Sequence, residues 1–97
     1  MKVSGKISER AVIVTTSHRG VFFGYATDTE GDSIKLRAAR MCVYWSADMH
    51  GVFGLASSGP SESCKIGPPV DFTVRDITGV MEVTIGAVAK WEAASWR

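Results

Sequence analysis

A chain of 97 residues suffices for one domain with a modest core, because a polypeptide of this size buries about two-thirds of its extended surface. A hydrophobic share of 45% against 22% charged residues excludes a disordered chain. The formal net charge of +1 gives no general attraction for a phosphate backbone, so long nucleic acid is a disfavoured partner.

Met1–Arg10 (MKVSGKISER) is polar and reads as a flexible N-terminal segment, leaving 11–97 as a single small β-rich domain. It lacks the apolar core of a signal peptide. No apolar stretch approaches the roughly 20 residues that cross a bilayer. The expectation is a soluble intracellular protein. Ala11–Thr15 (AVIVT) is rich in β-branched residues and predicts a strand. Ser17–Gly20 breaks it, and Val21–Thr27 (VFFGYAT) predicts a second strand, closing a hairpin. Gly24 marks a bulge or a close backbone approach. Asp28–Asp32 (DTEGD) is a turn, and Ser33–Leu36 completes a meander.

Ala38–Trp45 (AARMCVYW) mixes helical and strand signals, and a strand is the expectation. Ser46–Gly51 reads as a turn, and Val52–Ala56 as a strand or the opening of a helical turn. Ser57–Pro69 (SSGPSESCKIGPP) holds all three prolines and reads as a long loop. Phe72–Ile77 alternates as a strand, Asp76–Gly79 interrupts it, and Val80–Val83 forms another. Thr84–Ala94 predicts a helix: Thr84 caps it, and Ile85, Ala87, Val88 and Trp91 share one broad side. The fold class is α+β, mainly β: a small antiparallel sheet, either a meander or a partly closed barrel, with one C-terminal helix.

Chemistry concentrates in Arg37–Gly67. Arg37 and Arg40 face together in a helical turn and oppositely in a regular strand. Trp45 is a stacking candidate beside them. Ser61, Ser63 and Lys65 lie in a Gly/Ser-rich loop able to hold an anion, although GPSESCKIG is not a phosphate loop of the GxxxxGK[ST] kind. His18, His50, Cys42 and Cys64 are the residue types of a zinc site, without the close ligand pair such sites show. The same four residues, with Asp28, Asp48 or Asp76, would serve a Cys–His nucleophile; Cys64, next to Lys65, is the better candidate. The bland reading, two buried reduced thiols, is preferred. Trp96, near the terminus, suits a docking contact.

The segments HRGVFFGY (His18–Tyr25), ARMCVYWSAD (Ala39–Asp48), GLASSGPSESCKIGP (Gly54–Pro68) and VRDITGVMEVT (Val74–Thr84) resemble a family of small uncharacterised proteins of phages and prophages. The resemblance spans about Val12 to Trp96. It implies an accessory protein in the cytoplasm of a bacterial host and assigns no activity and no residue roles. Together the residues and the resemblance predict a non-enzymatic homo-oligomer that binds a small anionic ligand, such as a nucleotide immune signal, without a cofactor. Its contacts would be Arg37, Arg40, Trp45, Ser61, Ser63 and Lys65. The alternative is a module that binds or inhibits a host or virion protein through an exposed apolar patch containing Phe53 or Trp96.

Overall fold

The computed structural model describes residues 9–17 and 19–94. Trp96, His18 and most of the expected N-terminal segment, residues 1–8, lie outside them. The order is β1 (Arg10–Thr16), β2 (Val21–Ala26), β3 (Ser33–Tyr44), a 3-10 turn (Ala47–Met49), α1 (Gly51–Ser57), β4 (Lys65–Ile66), β5 (Val70–Arg75), β6 (Ile77–Glu82) and α2 (Ile85–Ala93). It is a mixed α+β fold, mainly strand.

β1 and β2 form the expected hairpin, with Ile13 opposite Phe23. The DTEGD turn is held by the Glu30 amide, which donates to Asp28 Oδ1 at 2.9 Å. The expected third and fourth strands are one: β3 runs unbroken for 12 residues. It lies between β2 on one side and β5 then β4 on the other, all antiparallel. β6 pairs with β1 at the far edge. The sheet is open, not a closed barrel: β5 and β6 lie on opposite edges and do not pair. The chain nevertheless passes from β5 to β6 through Asp76 alone, at φ 58°. The sheet must therefore curl until its two edges meet at that corner, where the Ser17 amide donates to the Asp76 carbonyl at 3.0 Å.

Curling gives the sheet two buried faces. On the concave face Val12 and Val14 of β1 meet Ile34, Leu36 and Ala39 of β3 and Val74 of β5. On the convex face Ile13, Phe23, Cys42 and Ile66 pack under Leu55 of α1 and Ala87 and Trp91 of α2. This explains why Val12, Ile13 and Val14 are all fully buried in a strand whose neighbours alternate faces. Trp91 stacks on Phe23, with centroids 5.0 Å apart and planes 4° from parallel, and its indole donates to the Leu55 carbonyl at 3.1 Å. One side chain thus fixes both helices to the sheet.

α2 is the expected helix, and Thr84 Oγ1 accepts from the Ala87 amide at 3.2 Å. Ile85, expected on its buried side, is 92% exposed, because at 100° per residue it lies roughly 120–160° around the helix from the buried Ala87 and Trp91. α1 is a helix where a strand was an equal expectation. Gly54 makes it fit: a Cβ there would sit 1.6 Å from the Met49 carbonyl oxygen.

Candidate functional site

The geometry turns on Ala38. Its φ is +53°, which costs a residue with a Cβ roughly 1 kcal/mol or more. The Asp71 carboxylate compensates by accepting from the Ala38 amide at 3.0 Å. The register against β5 slips between Leu36 and Ala39, and against β2 between Phe23 and Tyr25. This is a bulge, and one extra residue reverses the alternation of faces beyond it. Gly24 lies opposite, where a Cβ would come within 3.0 Å of Leu36 Cβ.

The bulge places Arg37 and Arg40 on the same convex face although β3 is a strand. Both line a cleft of about 410 Å³ with Phe23, Tyr25, Pro69 and Glu92. Arg37 lies 4.8 Å over the Tyr25 ring and is bidentate to Glu9, at 2.8 Å from both Nε and Nη2. That pairing raises the Arg37 pKa and lowers that of Glu9, chiefly through the hydrogen bonds. Tyr25 donates its hydroxyl to Glu92. Burial, then this carboxylate, pushes the phenol up to about 12.

Arg40 has a different role. It is 8% exposed. Its Nε donates to the Gly67 carbonyl at 2.8 Å, and Nη1 to the carbonyls of Trp91 at 2.7 Å and Glu92 at 3.4 Å. The last carbonyls of a helix lack intrahelical partners and carry partial negative charge. Arg40 caps α2 in this way and joins it to β3 and to the turn before β5. Desolvation lowers its pKa.

The other expected contacts lie outside the cleft lining. Trp45 is half-buried against the convex core. Ser61 and Ser63 belong to a chain of hydroxyls. Ser61 Oγ lies 2.7 Å from Ser63 Oγ, which lies 2.8 Å from Ser46 Oγ, and Ser46 donates to Asp48. This chain ties the loop to the 3-10 turn. Lys65 opens β4 opposite Tyr44. Of the six, the structure brings together only the two arginines at one cleft.

Cys42 and Cys64 are free and buried. Burial, then the neighbouring Cys64, raises the Cys42 thiol to about 12. The nearest polar partner of Cys64 Sγ is Ser61 Oγ, at 3.8 Å. Among the described residues, no three His, Cys, Asp or Glu side chains gather as metal ligands.

A second concavity, of about 380 Å³, opens on the concave face, past the core, where none of the described elements covers β3 and β5. It is lined by Phe22, Met41, Val43, Pro68, Val70 and Phe72. Met41, Val43, Val70 and Phe72 are 41–57% exposed, and Phe72 is held by Phe22 with centroids 5.2 Å apart. Sequence reasoning passed over this groove. Its signal was the alternation Ala39, Met41, Val43 past the bulge, matched by Val70 and Phe72 across the strand. Phe53, expected in such a patch, is 78% exposed but does not line it.

Residues 9–91 match the family described as a domain of unknown function, DUF6948. The chain belongs to the DUF6948 family. The match takes in every strand and all but the last two residues of α2. Searches of curated proteins and of solved structures return no match. Among the described residues of this DUF6948 domain, no helix is long and apolar enough to cross a membrane.

Proposed function

We propose that this DUF6948 domain is a non-catalytic interaction module. It holds a short apolar segment of a protein partner in the groove of β3 and β5. The observation that carries the reading is the groove itself: an uncharged concavity, whereas three other clefts among the described residues are each lined by charged groups. Contiguous exposed apolar surface of this kind marks interaction sites, and a methionine at its centre adapts to varied side chains. The resemblance to phage and prophage proteins makes a bacterial host protein in the cytoplasm the partner of choice. The test compares capture from bacterial lysate by the wild type, by Met41→Lys and by Lys90→Glu, which lies on α2. The expected result is a protein retained by the wild type and Lys90→Glu and lost with Met41→Lys, all three folding alike. Equal capture by all three refutes the groove.

The bulge favours a second reading, a small anionic ligand such as a nucleotide held at Tyr25, Arg37 and Arg40. Against it, Arg37 already holds Glu9, Arg40 is committed to backbone carbonyls, and Glu92 adds a negative charge. An anion would have to displace Glu9. Calorimetric titration with nucleotides should then give tighter binding to Glu9→Gln than to the wild type, and none to Arg37→Ala.

A further inference from the structure

Among the described residues the sheet has three edge strands: β4, only two residues long, and β5 along one side, and β6 along the other. The two longer ones differ. β6 is guarded: Glu82 is bound by Arg10, whose other terminal nitrogen reaches Thr29 Oγ1 at 2.7 Å, and charge on an edge discourages pairing. β5 reads Val70-Asp71-Phe72-Thr73-Val74-Arg75, and all of it except Val74 is exposed. Pairing with β3 occupies one of its two edges; among the described residues the other edge makes no backbone bond along Val70–Arg75, and only beyond it does the Asp76 carbonyl accept from the Ser17 amide. Asp71 spends one carboxylate oxygen on Ala38. The Arg75 side chain makes no hydrogen bond or ion pair among the described residues.

We infer that β5 pairs antiparallel with β5 of a second copy about a two-fold axis at Thr73. This deepens the groove reading and rests on it, because the axis joins two half-grooves into one site. A two-fold contact must be self-complementary, and the β5 sequence is so in one register. With Thr73 opposite Thr73 of the second copy, each Asp71 faces an Arg75. Shifting the axis by half a residue or a whole one in either direction separates the charges. Opposite-charge and threonine pairs are favourable cross-strand neighbours. The same register sets Phe72 opposite Val74 on the concave face and makes the two Phe72 rings diagonal neighbours, within reach of aromatic side chains. Each copy thus adds a Phe72 to the groove of the other. The combined trough suits a longer apolar segment than either half holds.

Light scattering on the full chain across a concentration series should show a monomer–dimer equilibrium. Arg75→Glu sets like charges opposite each other twice and should weaken the dimer on the order of 10- to 100-fold, with the melting temperature unchanged at concentrations where both proteins are monomeric. Asp71→Lys alone should do the same. An equimolar mixture of the two variants should dimerise again, because the mixed pair restores both attractions; a merely structural role for either residue gives no such rescue. If Asp71→Lys fails to fold for want of its bond to Ala38, the decision passes to hydrogen exchange. Alternate amides of Asp71–Arg75 should be protected in the wild type and exposed in Arg75→Glu. A wild type that stays monomeric overturns the pairing and leaves the groove to its own capture assay. A dimer indifferent to Arg75→Glu but broken by Met41→Lys overturns it too: the copies would then meet groove to groove, and the second copy, not another protein, would fill the site.

Discussion

Truncating Arg40 to alanine should destabilise the fold by about 3 kcal/mol. The guanidinium makes two short bonds, to Gly67 and Trp91, and a longer one to Glu92. Hydrogen bonds to a charged group contribute about 1.5–3 kcal/mol each, and a cation at a helix C-terminus up to about 2 more when partly buried. Part of that gain is offset by the cost of desolvating the charge. Removing the side chain also leaves the Gly67 carbonyl without its donor and the Trp91 carbonyl with only the long bond from the Ala94 amide, at 3.4 Å. A domain of this size has roughly 5–15 kcal/mol of stability in all, so the loss is a large share. At about 4–8 °C per kcal/mol, the midpoint should fall by roughly 15 °C. Urea and thermal unfolding followed by circular dichroism measure both quantities. Arg40→Lys should recover only part, because a single ammonium cannot span Gly67 and Trp91. A loss in Arg40→Ala below about 0.5 kcal/mol, the range of a neutral surface change, would refute the capping role. Arg40→Ala is also a poor probe of anion binding, since lost affinity would be confounded with lost stability; Arg37→Ala is the cleaner variant.

Two groups give alkaline signatures. The Tyr25 phenol should titrate at about 12, and Glu92→Gln should move it back toward 10, read from the ring carbon beside the hydroxyl by NMR. The unfolded phenol ionises near 10, so this stabilisation is whole below pH 10 and is lost as pH rises through 12; a midpoint near 10 in the wild type would refute the contact. Cys42, raised to about 12 by burial and by Cys64, should resist iodoacetamide at pH 8 in the native protein and react once the chain is unfolded. Rapid labelling of native Cys42, located by mass spectrometry, would contradict its burial.

Local signals were readable where local chemistry decides. The AVIVT and VFFGYAT hairpin, the DTEGD turn and the Thr84-capped helix follow from β-branching, Asx bonding and a capping hydroxyl, each within a few residues. What was obscure depends on partners far along the chain. Nothing near Ala38 announces a left-handed residue, because the carboxylate that supports it lies 33 positions on. Arg40 resembles a surface cation until Gly67 and the end of α2 are folded against it, 27 and 51 positions away. α1 contains two glycines, which weaken helix propensity, and packing of Leu55 and Ala56 overrides it. The arginine pair shows the limit best: regular strand geometry separates the two side chains, and only the bulge reunites them.

That bulge makes the length of β3 as consequential as its composition. Losing one codon at Ala38 would restore regular alternation and leave Ile34, Leu36 and Ala39 on their present face, with only the bond to Asp71 given up. Losing Lys35 instead, with the bulge and Ala39 to Tyr44 held in place, would turn Ile34 out of the concave core and Ser33 into it. A gene for this domain should therefore tolerate loss of a residue at Ala38 far better than loss of one elsewhere in β3.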